Sequence, residues 1–396
     1  MTAPVSGRVT ATQTTRLSIL HCHSTFSLGG KEARAVRLMN AFGPRARHTI
    51  LSAMPDQLGA RKAIDKAVAV DFPTEARAPA LHGKPSPVRY LALARTMQSF
   101  DLILSYNWGS MDAVMAHRLC RAFMRLPPLI HHEDGFNADE AERLDWRRNM
   151  FRRIALRSAD AVVVPSHVLE QVARNHWVSA ARVRRISNGI DVARYARPPL
   201  AGAIPGLVRG KGDIIVGTVA GLRAVKNLPL LVRAIALTPP NVRLVIVGEG
   251  PERAAIEAEA VLHGVAGRVM LAGFIPDPAT YVGHFDIMAL SSLSEQQPIA
   301  VMEAMAAGLP IVAPAVGDVA NMVAPANAPF ITPRSAAALA EAITRLASDS
   351  HSRIAIGRAN KARATEEFDE AKMIDAYAQL YGNALKIDKS ALITRS

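Results

Sequence analysis

Short apolar runs that alternate with helical patterns, twice over, constrain this chain more than any other feature. In the first half, RLSILHCHS, HTILSA, DLILSYN, PPLIHHE and ADAVVVPS each fit one buried strand and are too short for a buried helix. In the second half, DIIVGTVAG, VRLVIVGEG, RVMLAGF, DIMALSS and LPIVAPA repeat the pattern. Helical periodicity fills the gaps. Met115, Leu119 and Phe123 share one spacing in a predicted helix Ala113–Leu126, and Trp146, Met150 and Ile154 share it in one running from about Glu140 to Arg157. Further helices are predicted at Leu228–Ala236, Glu252–His263, Ile299–Ala307 and Ala336–Ser348. Continuous apolar strands between amphipathic helices imply parallel sheets covered on both faces. At 396 residues the chain exceeds one ordinary core, which predicts two domains. The Pro- and Gly-rich run RPPLAGAIPGLVRGKG, Arg197 to Gly212, is the predicted linker.

Two such domains leave a cleft between the carboxyl ends of their sheets, where open α/β folds bind ligands. Polar residues do gather just after the strands. The first strand runs into Gly29-Gly30 at the mouth of a helix, PPLI runs into His131-His132-Glu133-Asp134-Gly135, and DIIVGTVAG runs into Arg223 and Lys226. VRLVIV ends in Gly248-Glu249-Gly250-Pro251, and DIMALSS ends in SEQQPIAVMEAMAAGLP. In that last stretch Pro298 suits a helix's first turn and Gly308 its end, so a helix is predicted from about Pro298 to Ala307. Its N-terminus, at Pro298 and Ile299, would hold an anion such as phosphate. Glu295 precedes it and Glu303 lies inside it. A carboxylate accepts paired hydrogen bonds from vicinal hydroxyls, so two of them flanking a phosphate site suit a nucleotide sugar.

The charge is lopsided. Residues 1–200 hold 29 Lys and Arg against 16 Asp and Glu, an excess of 13, while residues 201–396 hold 18 of each. That asymmetry predicts a negative partner for the first half, or else a solvated Arg-rich surface. No apolar run reaches the ~18–20 residues of a membrane span, and the N-terminal stretch lacks the basic start and apolar core of a signal peptide. A cytoplasmic protein is expected. Cys22 and Cys120 make neither a disulfide framework nor a zinc cluster.

Glu295 and Glu303, followed by AMAAGLPIVA and Gly317-Asp318, resemble the signature of glycosyltransferase family 4, retaining enzymes of the two-domain GT-B fold. SNGID at Ser187–Asp191, Arg223 with Lys226-Asn227, and GEGPER at Gly248–Arg253 extend the resemblance over most of the chain. It implies two Rossmann-like domains facing across a cleft, with residues 1–198 (completed by 370–396) binding the acceptor and 199–369 the nucleotide sugar. A last helix, about Phe368 to Leu385, would cross back to the first domain. By resemblance, Arg223 and Lys226 hold the donor diphosphate, Gly29 and Gly30 approach it, Glu303 binds the ribose, and Glu295 meets the sugar hydroxyls. Gly248, Pro298 and Ile299 join the donor site, and His131 or His132 lies near the sugar. Gln296-Gln297 depart from the family, which has a glycine and an aliphatic or aromatic residue there.

The implied reaction moves a hexosyl unit with retention from a nucleotide-diphosphate sugar to a glycan or lipid-linked acceptor, in bacterial envelope polysaccharide synthesis. Asp-x-Asp is absent from the chain and no cluster has metal-ligand spacing, so neither metal nor cofactor is expected. Arg223, Lys226 and the helix end would then stabilise the leaving diphosphate. The basic first half, with Arg118, Arg121 and Arg125 on one helix and Arg147, Arg148, Arg152 and Arg153 on another, fits either a wet surface or peripheral attachment to the inner membrane face. A sugar-nucleotide epimerase of the same architecture is the rival enzyme, and a basic nucleic-acid-binding protein the rival non-enzyme. Against a nucleic-acid partner, the first half shows no basic-aromatic motif and aromatics make up 5% of the chain. GEGP lacks the third glycine of a dinucleotide fingerprint.

Overall fold

The structure, a computed structural model, describes residues 16–27, 29–74, 76–135, 140 and 144–393. The N-terminal stretch, Leu28 beside the Gly-Gly turn, residues 141–143 of one predicted helix and residues 394–396 lie outside the described residues. Two Rossmann-like domains emerge, each built on a sheet whose strands all pair in parallel. The first contains β1 (Leu17–His23), β2 (Ala46–Ser52), β3 (Ala69–Asp71), β4 (Leu102–Tyr106), β5 (Leu129–His132), β6 (Ala161–Val164) and β7 (Val183–Arg185), in the order β3-β2-β1-β4-β5-β6-β7. The second contains β8 (Ile214–Val219), β9 (Val242–Val247), β10 (Val269–Gly273), β11 (Ile287–Ala289), β12 (Ile311–Pro314) and β13 (Ile331–Thr332), in the order β10-β9-β8-β11-β12-β13. In both sheets the order reverses beside the first strand, between β1 and β4 and between β8 and β11. Those switch points are where connecting loops splay apart and leave a crevice.

The helices α1 (Gly30–Phe42), α2 (Pro87–Met97), α3 (Met111–Cys120), α4 (Trp146–Ala155) and α5 (His167–Val172) cover the first sheet. Around the second lie α6 (Leu228–Ala236), α7 (Arg253–Leu262), α8 (Ile299–Ala306), α9 (Val319–Met322), α10 (Ala336–Ser348) and α11 (Ser350–Glu367). The last helix, α12 (Glu370–Leu385), crosses back as expected. Its Met373, Tyr377 and Tyr381 pack with Ile19, Leu104, Ile130 and Val163 of the first sheet. At the crossing point the Ile190 N–H donates to the Phe368 carbonyl (2.9 Å) and the Glu370 N–H returns to the Ile190 carbonyl (2.9 Å), so both passages between domains run side by side.

Two of the predicted stripes are corrected. The helix expected over Ala113–Leu126 ends at Cys120, where residues 121–124 fold onto the Cys120 carbonyl ahead of Pro127-Pro128, which favour extended backbone. Along the predicted stripe Met115 is buried, but Leu119 and Phe123, the latter beyond the helix end, are exposed. In α4 the stripe Trp146, Met150 and Ile154 faces solvent, at 70%, 49% and 43% exposure. The inner face of α4 belongs instead to Arg152, which is buried with its guanidinium on both oxygens of Glu140 (3.1 Å each) and between the rings of Trp108 and Trp177. A hydrogen-bonded ion pair and two aromatic rings have taken the place an apolar stripe would fill.

The helix α8, which carries the candidate site, ends in a Schellman turn: the Leu309 N–H donates to the Ala304 carbonyl, and Gly308 (φ +81°) donates to Met305 (2.9 Å each). Its neighbour α11 touches this turn through Gly357, where an added Cβ would stand 1.9 Å from the Gly308 carbonyl oxygen. Gly357→Ala is therefore expected to push α11 off α8, costing about 1–3 kcal/mol. Denaturant unfolding of the variant against wild type checks this.

Candidate active site

A cleft of about 750 Å³ opens at both switch points. Its second-domain wall begins where β8 runs into Ala220, Gly221, Arg223 and Lys226. The loop after β9 supports that run from below. Gly248, at φ +145°, packs so closely that a Cβ there would lie 1.9 Å from the Ala220 carbonyl oxygen, and the Leu222 N–H donates to the Glu249 carbonyl (2.9 Å). Gly248 thus shapes the wall without lining the cleft. Arg223 is exposed in the cleft and has no ion pair among the described residues. The Lys226 ammonium donates to Glu295 Oε1 (2.6 Å), and the Ser292 hydroxyl donates to the same oxygen (2.7 Å).

Two helices begin at this cleft without side-chain caps. Pro298 is the N-cap of α8, one position earlier than its predicted place, and it leaves the Ile299 and Ala300 N–H groups as the first of the helix. Opposite, α1 starts after Gly29. A methyl on Gly30 would meet Ile299 Cδ1 at 3.4 Å, so the two helix mouths nearly touch. Both turn their first N–H groups and the positive end of a macrodipole to one space, the Glu32 N–H of α1 being taken by its own carboxylate.

The carboxylates lining the cleft are each tied to a cation of their own domain. Glu32 Oε1 lies 3.0 Å from the Lys31 ammonium, and burial pushes this carboxyl above its ordinary pKa. Asp134 receives both guanidinium arms of the buried Arg34, with Nη2 to Oδ2 at 2.7 Å, and its own N–H donates to Asn107 Oδ1 (2.8 Å). Glu295 is held by Lys226. None of Lys31, Glu32 or Asp134 was singled out from the sequence, although all stand in the runs that follow strands. Their signal was position after a strand end, which marks a neighbourhood and not a particular side chain.

Gln296 and Gln297 have a legible purpose here. The Gln297 side chain accepts from the Asn188 N–H (2.7 Å) and donates to Ser187 (2.8 Å), while Gln296 accepts from the Ser166 hydroxyl (3.2 Å). Asp318 accepts from the His167 and Val168 N–H groups at the start of α5 (2.6 and 3.2 Å), and its N–H donates to the Gln296 carbonyl (2.8 Å). These residues join the second domain to the first.

His131 and His132 lie behind the cleft, not in it. Both are fully buried, because β5 is a central strand and its successive side chains point into opposite helix layers. His131 Nδ1 pairs with the Ser105 hydroxyl (2.9 Å), and its Nε2 lies 3.6 Å from Glu133. His132 Nε2 pairs with the Tyr381 hydroxyl (2.9 Å), and its ring stacks on Tyr106. Burial, reinforced by Arg34, holds the His132 pKa well below its ordinary value, so the ring is neutral. The residue this segment does send to the cleft is Asp134.

Glu303 is also set back. It lies one turn beyond Ile299 on the same helix face, is 8% exposed, and accepts from the Tyr195 hydroxyl (2.9 Å). Of the predicted donor residues the structure therefore brings Gly29, Gly30, Arg223, Lys226, Glu295, Pro298 and Ile299 around one cavity, and leaves Gly248, Glu303 and both histidines in its surroundings.

Known proteins resemble both halves. The family model described as "Glycosyltransferase Family 4" matches residues 28–194, and "Glycosyl transferases group 1" matches residues 204–363. N-acetyl-alpha-D-glucosaminyl L-malate synthase of Bacillus anthracis is 23% identical over 62% of this chain and 65% of its own length. The 2-deoxystreptamine glucosyltransferase of Streptomyces kanamyceticus is 28% identical over 49% of this chain and 54% of its own length. The chain thus spans less than two thirds of either relative. Among solved structures, Anabaena HepE in complex with UDP superposes with a TM-score of 0.76 at 20% identity, covering 93% of this chain and 100% of that one. WaaG, a glycosyltransferase involved in lipopolysaccharide biosynthesis, gives 0.65 at 17%, covering 93% and 99%. At these identities the likeness establishes the fold.

Burial, partly offset by the Tyr195 hydrogen bond, pushes the Glu303 carboxyl up to about 7 from 4.5. The folded state then keeps a proton that the unfolded state releases, so stability falls as pH rises from about 4.5 to about 7. Glu303→Gln removes that slope. Thermal unfolding across this window is expected to show the variant gaining on wild type up to about pH 7 and holding a constant difference above it.

Proposed function

The chain belongs to glycosyltransferase family 4, and from that premise we propose that it transfers a hexosyl unit, with retention, from a nucleotide-diphosphate sugar to a glycan or lipid-linked acceptor. The observation that carries this reading is the pair of uncapped helix ends that meet over Arg223 and Lys226 in one cleft. Such a place suits a diphosphate. HepE is recorded with UDP, with UDP and glucose, and with UDP-glucose in a fold that matches this one, which supports a uridine nucleotide as donor. A lipid-linked acceptor would be presented at the inner membrane face.

In this reading the glycosidic bond to the diphosphate breaks as the acceptor oxygen approaches the anomeric carbon from the same face. The acceptor proton passes to the departing phosphate oxygen. The developing negative charge meets Arg223, Lys226 and the N–H groups of Ile299 and Ala300, fixed positive groups that need no divalent ion beside them. Among the described residues every carboxylate lining the cleft is engaged by a cation, which favours this route over a free carboxylate nucleophile. Glu303 would reach a ribose only after Tyr195 gives up its hydrogen bond.

Thermal shift against UDP, GDP, ADP and their sugar conjugates tests the proposal. One nucleotide is expected to stabilise the protein in EDTA, and Lys226→Ala and Arg223→Ala are each expected to abolish the shift. With an acceptor in hand, either variant should lose about 10²–10³-fold in turnover. Stabilisation only when a divalent ion is added would overturn the metal-free part, and a covalent sugar adduct on Glu295 or Asp134 would overturn the same-face route.

A further inference from the structure

We propose that α4 and the turn after α5 form a docking face for an anionic lipid bilayer. The face shares no residue with the cleft lining, so it stands independently of the transferase reading. It begins with an inverted helix. In α4 the charged Arg152 is buried, while Trp146, Met150 and Ile154 form an outward stripe along one side. A surface helix ordinarily turns its apolar stripe inward, and a contiguous apolar patch held in solvent marks a contact site. The neighbouring α3, packed against α4, exposes Leu119, and the turn after it exposes Phe123.

Beside the stripe lies a groove of about 370 Å³ lined by Arg153, Arg157, Arg174 and Arg182, and among the described residues no carboxylate lines it. It continues through Arg153 and His176 into a shallower hollow of about 270 Å³ that Trp146 and Met150 line. Arg174 pairs with Glu170 (2.7 Å). Arg153, Arg157 and Arg182 have no carboxylate partner among the described residues, and Arg182 spends one donor on the Arg157 carbonyl. The groove's other side is a π-helical turn, Ala173–Trp177, anchored by the Trp177 indole N–H on Asn149 (2.9 Å). That wider turn sets Arg174, Asn175 and His176 outward, and such turns recur at functional sites.

Apolar side chains in a row, flanked by guanidiniums, match the boundary between acyl chains and phosphate headgroups. Trp146, Met150 and Ile154 would enter that boundary, and the arginines would meet the phosphates. A nucleic acid would use the arginines and leave Met150 and Ile154 without a partner. Of the basic residues predicted from sequence, Arg148 and Arg152 hold Glu140, Arg121 donates to the Ser158 carbonyl, and Arg153 reaches the groove, where Arg157 joins it.

Sedimentation of the purified chain with vesicles tests this. Vesicles of phosphatidylcholine with phosphatidylglycerol are expected to carry it down at low salt, less at high salt, and phosphatidylcholine alone to leave it in solution. Arg153→Ala/Arg157→Ala should lower partition about 25-fold, at about fivefold per arginine. Trp146→Ala/Met150→Ser should lower it too, with the unfolding temperature of both variants unchanged. Arg47→Ala/Arg95→Ala, which removes equal charge elsewhere, should keep wild-type binding. No sedimentation at low salt, equal loss in that control, or duplex DNA bound more tightly than the vesicles would each overturn the proposal.

Discussion

A helix that starts without a cap leaves its first N–H groups aimed at whatever lies beyond, and here two such helices point into the same space. Each carries about half a positive charge at that end. Setting α1 and α8 mouth to mouth, with Arg223 and Lys226 alongside, concentrates like charge that an empty protein has to neutralise. The local carboxylates do this. Glu32 leans back over the start of α1 toward Lys31, and Glu295 sits on Lys226 just ahead of α8. An arriving diphosphate would bring its negative charge to Arg223 and the two helix ends and would offer Lys226 a second partner. The glycines at the α1 mouth follow from the same constraint, since a side chain there would fill the space between the helices.

The floor beneath this arrangement is aromatic. His21, His23, Tyr106, His132, Tyr377 and Tyr381 form a stacked and hydrogen-bonded layer under the first switch point, with Tyr106 at 4.0 Å from the His23 ring. Two of its members come from α12, nearly the last helix turns of the chain. The first sheet is therefore completed by residues far from it in sequence, and Arg34 lies over Tyr377 as it reaches for Asp134. Burial keeps His21, His23 and His132 neutral, which lets them pack as flat polar rings and not as charges.

The architecture was legible because strand and helix periods are local properties. Leu228–Ala236 and Ala336–Ser348 match their predicted bounds, and Ile299–Ala306 differs by one residue. What periodicity could not supply was direction. Trp146, Met150 and Ile154 have the spacing of a buried stripe, and only the tertiary ion pair of Arg152 with Glu140 turns them outward. Likewise, the position of His131 and His132 at a strand end was readable, but whether a strand-end side chain faces the cleft or the layers beside it depends on where the strand stops. This one continues through His132, so the first cleft residue is Asp134. Gln296 and Gln297 looked like a departure at the sugar site, and their partners Asn188, Ser187 and Ser166 lie more than a hundred residues away.

Those partners bear on how the cleft can open. The charged pairs that line it close within one domain: Lys31 with Glu32, Arg34 with Asp134, Lys226 with Glu295. Beside the cleft, among the described residues, Gln296, Gln297 and Asp318 join the two walls, mostly on backbone N–H groups and hydroxyls. The neutral bonds of Gln296 and Gln297 contribute roughly 0.5–1.5 kcal/mol each and those to the Asp318 carboxylate about 1.5–3, because water takes over when they break. Pulling apart a buried ion pair would instead strand a charge and cost several times more. A cleft whose ion pairs stay whole within each wall, and whose walls meet through exchangeable hydrogen bonds, can part to admit a nucleotide sugar without dismantling the electrostatics that would bind it.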